Sequence, residues 1–129
     1  MESNLITALY CRTACECDSA IEAQESLLLK YAGEHGLGEV SVYSDSGYSG
    51  QNFDRPAFTR LKTDIASGVV QTVLVKDFYR ISRDIVNMYE WAHSDALLGV
   101  KVISVVDGCD IRAGNSINKL FKQFCALSI

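Results

Sequence analysis

A chain of 129 residues, 48% hydrophobic and 22% charged, is long enough to bury the core of one domain and has the ordinary composition of a soluble globular protein. The formal net charge of −4 argues against a domain that grips nucleic acid unaided, because phosphate neutralisation dominates such affinity. No apolar run approaches the roughly 18 residues of a membrane span, and the opening MESNLITALYCR has no basic leader, so a cytoplasmic location without membrane contact is expected.

Leu5 to Tyr10 reads as a short apolar strand. Asp18 or Ser19 offers an N-cap, with Ser19 and Glu22 at capping-box spacing, and the helix runs to about Glu34 with Ile21, Leu27, Leu28 and Tyr31 as its buried stripe and Gly36 past its end. Val40 to Tyr43 forms a second strand, followed by the polar segment SDSGYSGQNFDR. Pro56 sits where a helix accepts a first-turn proline, AFTRLKTDIAS continues that helix, and Gly68 closes it. Residues 69–76, VVQTVLVK, have the valine-rich character of a buried parallel strand. A helix from about Asp84 to Leu98 follows, then Gly99 and the strand VKVISVV. Ile117, Leu120, Phe121, Phe124 and Cys125 recur at helical spacing in the last segment, as either core or a partner-facing surface. This alternation predicts a doubly wound, mostly parallel α/β sheet of four to five strands with helices on both faces, in a single domain.

Sites in open α/β sheets lie outside the carboxyl ends of the strands. Arg12 follows the first predicted strand, Ser49 and Arg55 the second, and Arg80 and Arg83 the third, so four of the six arginines converge on one rim. The planar guanidinium suits phosphate and the charge that develops on a transferring phosphoryl group. Any one of these arginines passes as a solvated loop charge; four together ask for an explanation. Arg80 and Arg83, three apart, become neighbours wherever helical turning begins. Gly47 and Gly50 flank Ser49 and let its loop bend.

Five cysteines, three of them at Cys11, Cys15 and Cys17, read as free thiols in a cytosolic chain. A zinc shell is disfavoured, because C-x3-C-x-C lacks a paired C-x2-C and Cys109, Cys125, His35 and His93 are scattered. No metal or cofactor is expected. A phosphate-receiving regulator domain needs an acidic pair after the first strand, where Cys-Arg-Thr-Ala stands. A cysteine phosphatase needs C-x5-R, which is absent, and a dinucleotide fold needs G-x-G-x-x-G, yet no glycine precedes Ala32.

Several segments carry a family resemblance. Tyr10-Cys11-Arg12-Thr13-Ala14 resembles the Y-x-R-V-S signature of serine site-specific recombinases of the resolvase and invertase kind, and Ala20-Ile21-Glu22-Ala23-Gln24 resembles their glutamine-bearing first helix. Tyr43-Ser44-Asp45-Ser46-Gly47-Tyr48-Ser49-Gly50, with Asp54-Arg55-Pro56, is similar to their Y-x-D-x-G-x-S-G…RP segment. Val75 to Arg83 is similar to V-x-K-x-x-x-R-x-x-R, and Val100 to Val105 to the strand that follows. The resemblance spans about residues 5–110 and is closest to the larger serine recombinases and transposases of mobile elements. Many of those have a residue other than the small resolvases' aspartate where Tyr79 stands.

The resemblance implies a resolvase-like fold with flavodoxin-like strand order and a reaction in which a serine hydroxyl attacks a DNA phosphodiester. It implies Arg12, Arg80 and Arg83 as phosphate and transition-state arginines, Ser49 near the scissile phosphate, and Gln24, Asp45 and Arg55 in support. Ala14 stands at the position of the nucleophile and has no atom that attacks phosphorus. Strand transfer is therefore expected to be impaired or absent, leaving either a non-catalytic regulatory or oligomerisation module or a variant using Cys15. Ser49 and Ser44 are weaker candidates. The resemblance also implies homodimers or homotetramers formed through a helix starting near residues 116–129. It further implies DNA as partner through a binding region outside this chain.

Overall fold

The computed structural model describes residues 5–14, 18–47, 55–106 and 108–111. Strand β1 (Ile6–Thr13) leads into helix α1 (Asp18–Glu34), and β2 (Val40–Ser46) into α2 (Pro56–Ala66). Strand β3 (Val70–Val75) is followed by a one-turn 3₁₀ helix (Phe78–Arg80), α3 (Ile85–Ala92), a second 3₁₀ turn (Asp95–Leu97), β4 (Lys101–Ser104) and the two-residue β5 (Cys109–Asp110). The strands form one sheet in the order β2-β1-β3-β4-β5. The first four are parallel and β5 is antiparallel to β4. The expected doubly wound order is therefore the observed one.

Alternation along β1 divides the interior in two. Ala8 and Tyr10 face a cluster with Val73 and Val75 of β3, Phe58, Leu61 and Ile65 of α2, and Met88 and Ala92 of α3. Leu9 and Cys11 face the other way, onto Leu74 and onto Ile21, Leu28 and Ala32 of α1. Each fully buried leucine or phenylalanine contributes about 1.5–3 kcal/mol. Because α1 covers one face and α2 with α3 the other, the chain reverses its winding between β1 and β3, and a crevice opens at their carboxyl ends.

Some boundaries differ from the sequence expectation. Both β1 and β2 run three residues past their apolar stretches, to Thr13 and Ser46; Arg12 and Asp45 lie opposite each other in this polar extension. Helix α1 already includes Asp18 and Ser19. Its buried stripe is Ile21, Gln24, Leu28 and Ala32, whereas Leu27 and Tyr31 are half-buried. Helix α3 starts as expected, with the Asp84 carboxylate accepting from the N–H groups of Val86 and Asn87. It stops at Ala92, six residues early, where the Ser94 hydroxyl donates to the Trp91 carbonyl at 2.7 Å and competes with helical bonding. The 3₁₀ turn after it still delivers Leu97 to the core. Gly36 and Gly47 take positive φ, 59° and 84°, closing α1 and β2 in a region that β-carbon-bearing residues avoid. The apolar segment 116–129 lies outside the described residues.

Candidate functional site

At the carboxyl end of β1 the pairing with β3 has ended: the last matched residues are Leu9 and Leu74. The Thr13 carbonyl points towards β2, where it accepts from Gly47 N–H at 2.9 Å. By alternation the Arg12 main chain points the other way, into the split. The Gln24 amide fills that place, accepting from Arg12 N–H at 3.1 Å and donating to Arg12 C=O at 3.0 Å. One side chain from α1 thus replaces a missing strand, which explains a glutamine in an otherwise apolar stripe.

The Arg12 side chain is 1% exposed. Its Nε donates to the Arg80 carbonyl at 2.8 Å and its Nη2 to the Tyr79 carbonyl at 2.9 Å. Arg55, also 1% exposed, donates from Nη1 to the same Arg80 carbonyl at 3.0 Å and from Nη2 to the Ile81 carbonyl. Two buried guanidinium groups, one from the end of β1 and one from the N-cap of α2, therefore hold three consecutive carbonyls at the end of the first 3₁₀ turn. These are the acceptors that a short helix leaves unmet, and cations suit that end of its dipole. Burial, and next the like charge of Arg55, pull Arg12 down to about 10. Burial lowers Arg55 too, with Tyr10 and Asp45 opposing.

Asp45 and Tyr10 complete the substructure. The Asp45 carboxylate accepts from Ala57 N–H at 2.8 Å and Phe58 N–H at 3.1 Å, capping α2 from a neighbouring strand. Tyr10 Oη donates to Asp45 Oδ2 at 2.7 Å and accepts from Arg55 Nη1 at 3.2 Å. Burial raises the Tyr10 phenol far above its usual range, opposed by Arg55 and reinforced by Asp45. The Arg55 guanidinium also lies 4.7 Å from the Phe58 ring centre. The Tyr10 hydroxyl thus joins the two residues that bracket the segment carrying Ser49.

The turn so held carries the remaining arginines. Arg80 has a side chain 23% exposed, with Nε 3.7 Å from Asp77 Oδ1. Arg83 is exposed; its Nε donates to the Tyr79 hydroxyl and its guanidinium lies 5.5 Å from that ring centre. Ala14 directly follows β1, two residues beyond Arg12, and is exposed. Thr13 before it is 7% exposed, and its Oγ1 has no hydrogen-bond partner among the described residues. Cys11 points to the opposite face, as strand alternation requires, and burial raises its thiol to about 12. Ser44 is exposed on β2, while Ser49 and Cys15 lie outside the described residues. Among the described residues no three His, Cys, Asp or Glu side chains are grouped to hold a metal ion.

The structure thus brings Arg12, Gln24, Asp45, Arg55 and Arg80 into one network, with Arg83 at its outer edge. Sequence reasoning missed Tyr10 as the central hydroxyl and Asp77 as the partner of Arg80. The alternation of β1 placed Tyr10 in the core, and an i,i+3 acid–base pair was there to be read in Asp77 and Arg80.

The family profile described as "Resolvase, N terminal domain" matches residues 7–128. A Bacillus subtilis (strain 168) protein, named provisionally as a DNA recombinase, is 34% identical over 84 residues, which are 62% of this chain and 16% of that protein. The chain therefore spans only about one sixth of that relative. The N-terminal catalytic domain of TP901-1 integrase superposes with a TM-score of 0.78 at 28% identity, covering 95% of this chain and 93% of that one. A resolvase family site-specific recombinase from Streptococcus pneumoniae gives 0.74 at 27%, covering 96% and 88%.

Proposed function

The chain belongs to the resolvase N-terminal-domain family of serine recombinase catalytic domains, and from that premise we propose that it holds a DNA phosphodiester at an arginine rim yet forms no covalent bond to it through position 14. The observation that carries this reading is the exposed Ala14 directly after β1, two residues beyond Arg12 of the assembled arginine network. Arg80 and Arg83, on the outer turn, contact the phosphate. Arg12 and Arg55, buried beneath and bonded to that turn's carbonyls, hold it in place. A phosphate placed there meets preorganised positive charge, the usual main source of transition-state stabilisation in phosphoryl transfer. The attacking oxygen is missing, because a methyl group stands where the family's hydroxyl would be.

The same reading makes the chain a regulatory or structural module that forms homodimers or homotetramers or, alternatively, pairs with a serine-bearing recombinase subunit. DNA is gripped mainly through a binding region outside this domain, a reading that the net charge of −4 supports. Ser49 contacts the phosphate from its loop. The setting is the cytoplasm; no helix among the described residues is long and apolar enough to cross a membrane.

The experiment joins the chain, and its Ala14→Ser form, to a DNA-binding module of known site and supplies nicked or mismatched DNA. The serine form yields a covalent protein–DNA adduct on denaturing gels, cleaved by alkali as a phosphoserine ester is, and the unmodified chain yields none. An adduct from the unmodified chain overturns the reading, and its loss in Cys15→Ser assigns the nucleophile to Cys15. Failure of the serine form removes position 14 as the explanation.

A further inference from the structure

We propose that Asp77, two residues before Tyr79 and outside the motif arginines, is a positioning residue that sets the direction in which Arg80 presents its guanidinium. The inference rests on the reading of Arg80 as a phosphate-contacting arginine.

Three observations carry it. First, Asp77 stands at the N-cap of the 3₁₀ turn and Arg80 at its last residue, and Arg80 N–H donates to the Asp77 carbonyl at 3.1 Å, so the turn ties these two residues together. Second, the Arg80 main chain cannot wander, because its carbonyl accepts from both Arg12 and Arg55 at 2.8 and 3.0 Å. Any freedom left to Arg80 is in its side chain. Third, Asp77 is 8% exposed, and its Oδ1 and Arg80 Nε are both buried and, among the described residues, without a hydrogen-bond partner, 3.7 Å apart.

A buried acceptor and a buried donor of opposite charge, facing each other just beyond bonding distance, pull on each other through a poorly screening medium. The attraction keeps Nε turned inward. Since Nε contributes nothing to the 23% exposure of the Arg80 side chain, turning it inward leaves the paired Nη groups as the edge that faces the rim. That edge has the forked geometry that matches two phosphate oxygens. Without the carboxylate, Nε has no inward partner, and the fork samples directions unsuited to the phosphate.

The test has two readouts. In the unmodified chain, Asp77→Asn shifts the Arg80 Nε–H resonance and speeds its exchange with water several-fold, leaving the Arg12 and Arg55 Nε–H resonances in place. In the Ala14→Ser form joined to a DNA-binding module, Asp77→Asn slows adduct formation by at least about tenfold, in keeping with the cost of small misplacements at a reacting centre. The DNA concentration for half-saturation stays as it was. On an Arg80→Ala background the same substitution adds no further loss, whereas a general structural weakening would add. An unmoved Arg80 resonance, or an equal loss on the Arg80→Ala background, overturns the proposal. If the serine form makes no adduct in any variant, the reading of the site as a recombinase centre fails, and the resonance experiment on the unmodified chain still decides the role of Asp77.

Discussion

The side-chain amide of Gln24 bonds both main-chain groups of Arg12, donating to its carbonyl and accepting from its N–H, at a point where β1 has lost its neighbour on that side. Replacing it by leucine keeps the volume but leaves a buried donor and acceptor unmet, at about 1–3 kcal/mol each. Gln24→Leu is expected to lower the urea midpoint at unchanged m value by about 2 kcal/mol or more. A midpoint equal to the parent's shows that water satisfies these groups instead.

Arg12 and Arg55 act on the 79–81 carbonyls through the two ends of a planar fork, which an ammonium cannot reproduce. Arg12→Lys and Arg55→Lys are each expected to cost about 2–4 kcal/mol despite keeping the charge. Exchange of Ile81 N–H, which donates to the Phe78 carbonyl at 3.0 Å within the clamped turn, accelerates ahead of global unfolding. Protection at Ile81 that merely follows global stability counts against the clamp.

Tyr10→Phe removes only the hydroxyl. Asp45 keeps its bonds to Ala57 and Phe58, and Arg55 keeps its carbonyls, so the loss is smaller, about 1–2 kcal/mol by denaturant unfolding. Its local signature is faster hydrogen exchange at Ala57 and Phe58 N–H, which donate to the Asp45 carboxylate that the hydroxyl bonds. Unchanged exchange there shows that the hydroxyl does not steady Asp45.

Burial raises the Cys11 thiol from 9.0 to about 12. A thiol with a raised folded value stabilises fully below its unfolded value and loses that contribution as pH climbs towards the folded one. The stability of the parent should therefore fall relative to Cys11→Ala between pH 9 and about 12, the difference being constant below pH 8. Parallel curves through pH 11 contradict a buried protonated thiol.

The elements and their doubly wound parallel arrangement were legible because apolar periodicity reports which face is covered, whereas the strand order came from the family resemblance. The positions of Arg12 and Arg55 were legible as a convergence at one sheet edge. Their burial was not, since an arginine after a strand reads as solvent-facing unless the carbonyls it will meet are known. Those carbonyls belong to residues 67 and 25 positions away in sequence, at Tyr79 and Arg80. Gln24 was named through resemblance alone; no local pattern announces that a helix side chain stands in for a strand. The end of α3 was missed because the Ser94 hydroxyl acts at one residue, while hydrophobic periodicity averages over several turns.

The gathering of Arg12, Arg55, Arg80 and Arg83 at one edge of a chain whose net charge is −4 makes the domain electrically lopsided. A polyanion a Debye length away, about 8–10 Å at physiological salt, meets a net charge of −4 overall and a concentration of arginines at that one edge. Encounters are thereby sorted by orientation before any contact forms. Adding salt should weaken that sorting as well as the attraction itself, so the domain becomes less selective about its approach at the same time as it becomes less sticky.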